Sequence, residues 1–196
     1  MTGNSQAGVD EFVSSRAALM LAFAWGFCEA TFFFIVPDVL LTLIAVRSLK
    51  PALKATVAAL AGALIGGAFM YLFGARDPRF AFESLDRIPA ISSELIQRVF
   101  SQINDNGLMA VLLGPIEGIP YKIYAVEWGA RRGNFLAFIL ISIPARYVRF
   151  VVTTLIARLI ARICEPLTHH ASQVEITILA AIWITFYGLY FGSYGW

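Results

Sequence analysis

The chain has 196 residues, 59% of them hydrophobic and only 14% charged. A soluble domain carries about a quarter charged residues, and one small core could not hide this much apolar surface, so lipid is the natural solvent for it. The net charge of +2 supplies no basic field, which argues against nucleic acid as a partner.

Residues 1–10 read as a polar tail that lacks the basic start and small-residue cleavage site of a secretory signal peptide. Glu11 to Arg16 reads as the start of a short interfacial helix. From Ala17 to Val46 the chain is apolar apart from Glu29 and Asp38. A straight helix of that length would run about 45 Å, too long for a hydrocarbon core of roughly 30 Å, yet the segment is too short for two spans. Pro37 disfavours helix at Val36 and removes a backbone donor. A re-entrant hairpin over 17–46 meets both constraints, with Arg47, Lys50 and Lys54 marking its exit at the headgroups.

Residues 55–75 carry no charge and suit a transmembrane helix. Within them Gly62 and Gly66 form a GxxxG pair, which lets another helix approach closely. Residues 76–105 are polar and predict a loop with one amphipathic helix near 91–103, its apolar face made by Leu95, Val99 and Phe100. Asn104-Asp105-Asn106-Gly107 is a helix-stop pattern. Residues 107–130 are apolar but interrupted by Pro115, Gly118 and Pro120, and they hold Glu117, Lys122 and Glu127. This predicts a second re-entrant hairpin that exits at Arg131-Arg132. Residues 134–160 then read as a span containing Pro144, Arg146 and Arg149. Residues 161–175 read as a polar connector, and 176–196 as a last span whose aromatic end suits an interface.

Each half therefore runs broken hairpin, basic residues, full span. With one span between them, the hairpins fall on opposite faces, the arrangement that marks the binding site in inverted-repeat transporters. The expected fold is an all-α membrane protein, a single domain with two re-entrant hairpins in inverted repeat, about three transmembrane helices and a short amphipathic helix.

Irregular backbone at membrane depth is tolerated only where protein or water covers it, so the hairpin tips should meet or line a cavity. Glu29, Asp38 and Glu117 are candidate proton carriers, because a carboxylate in a low-dielectric site gains affinity for protons. Asp38 could also cap the second hairpin arm. Arg146 and Arg149 share one helix face and, with Lys122, could hold an anionic headgroup, since guanidinium forks match phosphate oxygens. The same arginines could instead serve as counter-charges for Glu29, Asp38 or Glu117, and Lys122 could neutralise Glu117. Arg158 and Arg162 read as snorkelling anchors, Glu127 as interfacial, Cys28 and Cys164 as unpaired thiols, and His169-His170 as a solvated pair. No metal site, no cofactor and no enzyme are expected: the chain has no Walker-type loop, no GxSxG elbow and no Cys-His cluster.

Three passages resemble the DedA family, also called the VTT or SNARE-associated family. GFCEATFFFIVPDVLL (26–41) resembles its first motif, an acidic residue followed by Pro and a second acidic residue, here Glu29, Pro37 and Asp38. AGALIGGAFMYLFGAR (61–76) resembles its Gly-rich helix, and GPIEGIPYKIYAVEWG (114–129) its second hairpin motif. In the family that last passage carries an arginine early and another after a proline. Here Pro115 stands near the first position, and Lys122 is the basic residue nearest the second. The resemblance implies facing hairpins, a multi-pass place in the bacterial cytoplasmic (inner) membrane, and transport of an anionic lipid such as undecaprenyl phosphate or a phospholipid. The implied partners are that membrane lipid and a coupling ion, H+ or Na+; a homo-oligomer is compatible with the sequence. A passive scramblase, a membrane enzyme acting on lipid phosphate and a scaffold stand as alternatives to a proton-coupled flippase.

Overall fold

The computed structural model describes residues 11–115, 117–164 and 171–194. The polar tail and the His169-His170 pair lie outside the described residues. Every regular element among those described is helical. In chain order they are α1 (Arg16–Thr31), α2 (Asp38–Arg47), α3 (Leu49–Arg76), α4 (Pro78–Leu85), α5 (Ser93–Asn106), a 3-10 turn (Gly107–Met109), α6 (Ala110–Leu113), α7 (Tyr121–Ala130), α8 (Phe135–Cys164) and α9 (Ala171–Tyr194).

Local signals set most of these boundaries. Ser15 caps α1, its Oγ accepting from the Ala18 N–H at 3.2 Å, which satisfies one of the donors a helix start leaves open. α1 stops at Thr31, ahead of Pro37, and α2 begins directly after that proline. α5 ends at Asn106 with Gly107 at a φ of 55°, so the predicted stop pattern works through a backbone conformation that favours glycine. The apolar face of α5 is Leu95, Val99 and Ile103; Phe100, expected inward, is exposed.

Two helices, Leu49–Arg76 and Phe135–Ile163, are long and apolar enough to cross a membrane. The first starts earlier than 55, with exposed Lys50 and Lys54 inside it. It follows α2 after Ser48 alone, which leaves no separate basic linker. Pro144 lies within α8, which runs on through it to Cys164. The expected last span lies in α9, a helix of 24 residues over Ala171–Tyr194, and helix at both ends shortens the connector.

The fold places large apolar groups outside and small or charged ones inside. Phe69, Leu72, Leu136, Leu140 and Val148 are exposed, whereas Glu29, Asp38, Lys122 and Arg146 are buried. This is the distribution expected of helices surrounded by hydrocarbon, where intramembrane charges turn inward.

α3 is the central strut, and glycine lets it approach two neighbours. Gly62 lies against the Phe23 backbone of α1, and Gly26 of α1 lies against the Ala59 backbone of α3. At its other end Gly74 meets the Val126 backbone of α7, and Gly129 of α7 meets the Tyr71 backbone. A side chain at any of these four positions would collide with main chain, as small-residue packing requires. The contacts also cross between halves. α1 packs on α3 and α6 on α8, each within its own half, while α2 packs on α8 and α7 on α3.

Candidate functional site

The break between α1 and α2 (residues 32–37) brings Glu29 and Asp38, one from each arm, against α8. Arg146 forms an ion pair with Glu29, buried on both sides. Arg149 pairs with Asp38 at 2.8 Å. Of the two roles the spacing on α8 left open for the arginines, the counter-charge geometry is the one observed. Asp38 does not cap α2, which has no side-chain cap bond. Its Oδ1 instead accepts from the Thr153 hydroxyl at 2.7 Å.

Lys122 is 1% exposed. Its ammonium donates to the Phe33 carbonyl at 2.8 Å, and no carboxylate lies within ion-pair distance of it among the described residues. It does not neutralise Glu117. The rest of the break is closed by other elements. Trp25 Nε1 donates to the Ile35 carbonyl at 2.9 Å, and the Val36 N–H donates to the Tyr187 hydroxyl at 2.8 Å. A backbone group buried without a partner costs several kcal/mol in hydrocarbon, about as much as a lost strong hydrogen bond. These bonds are what make non-helical chain tenable here.

Aromatic rings set the arginines. The Arg146 guanidinium lies 5.1 Å from the ring centres of both Tyr121 and Phe150, and Arg149 lies 5.2 Å from Phe150. Cation–π contacts of this kind hold a guanidinium without consuming its donors. Tyr121 is fixed in turn by its hydroxyl, which donates to Ser142 at 2.8 Å. The Nε atoms of Arg146 and Arg149 are buried and have no hydrogen-bond partner among the described residues.

All five charged side chains line one cavity of about 450 Å³. Three cations, Lys122, Arg146 and Arg149, face two carboxylates, Glu29 and Asp38, which leaves one positive charge in excess. The rest of the lining is largely apolar and aromatic, including Ile88 and Ile91 before α5 and Trp183, Phe186 and Tyr187 of α9. The break residues Pro115, Gly118 and Pro120 contribute to the lining; Pro37 separates the two carboxylates in sequence as the start of α2.

Glu117 is not brought to the cavity. It pairs with Arg98 of α5 at 2.7 Å and accepts from Gln102 at 2.7 Å, partly exposed. Glu127 is buried, and Arg131 pairs with it at 2.6 Å. Arg158 donates to the Val46 carbonyl at 2.7 Å, tying α8 to the end of α2. Cys28 is a free thiol. No cluster of metal-binding side chains occurs among the described residues. Sequence reasoning missed Thr153, which follows Arg149 by one helical turn and could have been sought by that spacing. It also missed Tyr187, assigned to an interface but bonded to the first break.

The chain is 27% identical over 146 residues to an uncharacterized protein of Haemophilus influenzae, an alignment covering 72% of each chain. No protein family matches the chain, and no solved structure matches it.

Proposed function

We propose that the protein is a multi-pass membrane transporter that moves an anionic lipid between leaflets. The observation that carries this reading is the cavity itself: a buried cluster with one excess positive charge within a lining that is otherwise largely aromatic and aliphatic. An amphiphile with a phosphate head fits both. Its oxygens would bind the cationic groups of Arg146, Arg149 and Lys122, which line the cavity, because guanidinium and ammonium groups recognise phosphate. Its chain would lie along α9 and the segment before α5.

In this reading the two broken segments are re-entrant hairpins of opposite orientation, in keeping with the exchange of second arms between α8 and α3, and the protein is a relative of the DedA family. Glu29 and Asp38 are the coupling groups, since a buried carboxylate that loses its cation favours the protonated form. Glu117, paired with α5 outside the cavity, is not one of them.

The test is reconstitution in liposomes with a labelled phosphatidate in one leaflet. The wild type should move the lipid faster under a proton gradient, and Glu29→Gln and Asp38→Asn should lose that acceleration. Equal rates with and without a gradient would favour a passive scramblase. Release of inorganic phosphate would establish an enzyme, and full movement by both variants would sink the coupling role.

A further inference from the structure

The two ion pairs of the cavity are not equivalent. Arg146 and Glu29 are both sealed, with side-chain exposures of 1% and 5%. In the second pair Asp38 is sealed at 3%, but Arg149 is 24% exposed. Asp38 also has a second support in the Thr153 hydroxyl at 2.7 Å, whereas the side-chain partner of Glu29 is Arg146. Arg149 is thus the cation a ligand reaches first, and Asp38 is the carboxylate that keeps a partner when its cation leaves.

Building on the lipid-phosphate reading above, we propose that Arg149–Asp38 is a displaceable pair that makes a phosphate monoester headgroup bind together with one proton. The monoester draws the Arg149 guanidinium away from Asp38. The vacated Oδ2 takes up one proton delivered from the bulk solvent, and Thr153 continues to donate to Oδ1, now the carbonyl oxygen of the neutral acid. Thr153 is the positioning residue, and Glu29–Arg146 stays closed in this binding step.

Charge balance selects the substrate class. The cluster carries one excess positive charge, and a phosphate monoester carries nearly two negative charges above its second pKa of about 6. An uncompensated charge in a low-dielectric site is costly. One proton on Asp38 removes the mismatch. A phosphodiester, with a single negative charge, matches the resting cluster and needs no proton.

Asp38 contacts Arg149 and Thr153 of α8 directly, and it shares the cavity with Arg146 of α8, Glu29 of α1, Lys122 of α7 and Tyr187 of α9. α3, which also packs on α2, carries its Lys50 and Lys54 exposed near its own start.

The experiment is infrared difference spectroscopy of the full chain in detergent, titrated with dioctanoyl phosphatidate or dioctanoyl phosphatidylglycerol. Phosphatidate should produce the carbonyl stretch of a protonated carboxyl; phosphatidylglycerol should bind without it. Asp38→Asn should lose the band yet keep the phosphate bands of bound lipid. Thr153→Val should raise the band's frequency, because the carbonyl loses its hydrogen bond, and Thr153→Ser should restore it. A structural role for Thr153 would not move that frequency. Bound phosphatidate without a carboxyl band, a band of equal size with phosphatidylglycerol, or a band unmoved by Thr153→Val would each overturn the inference and leave the transporter reading standing. Failure of both lipids to bind would overturn both.

Discussion

The two broken segments look alike in sequence, yet they are held in opposite ways. The first, at 32–37, is closed by other parts of the molecule: Lys122 of α7, Trp25 of α1 and Tyr187 of α9 each bond its backbone. In the second, between Gly114 and Pro120, the backbone bonds among the described residues are local. The Ile119 N–H donates to the Gly114 carbonyl at 3.0 Å, and Gly118 takes a φ of 72°, a conformation that favours glycine. Its acidic residue, Glu117, turns to α5. The carboxylates of the first segment turn to the arginines of α8. Similar broken segments therefore do different work: the first brings charge to the cavity, and the second supplies part of its lining and a brace.

The largest effect should come from stripping a sealed pair. Arg146→Ala leaves Glu29 buried and uncompensated, and a broken buried pair costs about 3–5 kcal/mol. Thermal unfolding in detergent should show a large drop; a midpoint within a degree or two of wild type would mean the pair is hydrated and the cavity open. A smaller effect is expected at the brace of the first break. Tyr187→Phe leaves the Val36 N–H without its acceptor, at a cost of about 1–3 kcal/mol, and hydrogen exchange at that amide should quicken. The same change should leave exchange in residues 114–120 unaltered, since the backbone bonds described there are local. The smallest effect is expected from Glu117→Gln, which removes a partly exposed pair worth about 0–1 kcal/mol. Gradient-driven lipid movement should survive it. Loss of movement with normal stability would return Glu117 to the coupling groups and erase the contrast between the segments.

Much of this layout was legible in the sequence. Length arithmetic and Pro37 located the first break, Pro115, Gly118 and Pro120 the second, and the three-residue spacing of Arg146 and Arg149 put both on one face of α8. Pairing was not legible, because Glu29 finds Arg146 from 117 positions away and no local period encodes that. Glu117 misled for a related reason: a carboxylate in an apolar run looks buried until the neighbouring amphipathic helix folds back beside it. Tyr187 misled because an aromatic residue near a helix end suits an interface and a cavity equally well. Thr153 carried only the weak signal of its one-turn spacing from Arg149, since threonine is ordinary in an apolar helix and matters here through the oxygen of Asp38.

The central claim is that the excess positive charge of the cavity holds an anionic headgroup. Native mass spectrometry tests it most directly, on protein equilibrated with equal amounts of dioctanoyl phosphatidate and dioctanoyl phosphatidylcholine. Wild type and Glu117→Gln should retain the phosphatidate in preference, and Lys122→Met, which removes the excess charge, should lose that preference while remaining folded. Equal retention of both lipids by the wild type, or an undiminished preference in Lys122→Met, would contradict the account.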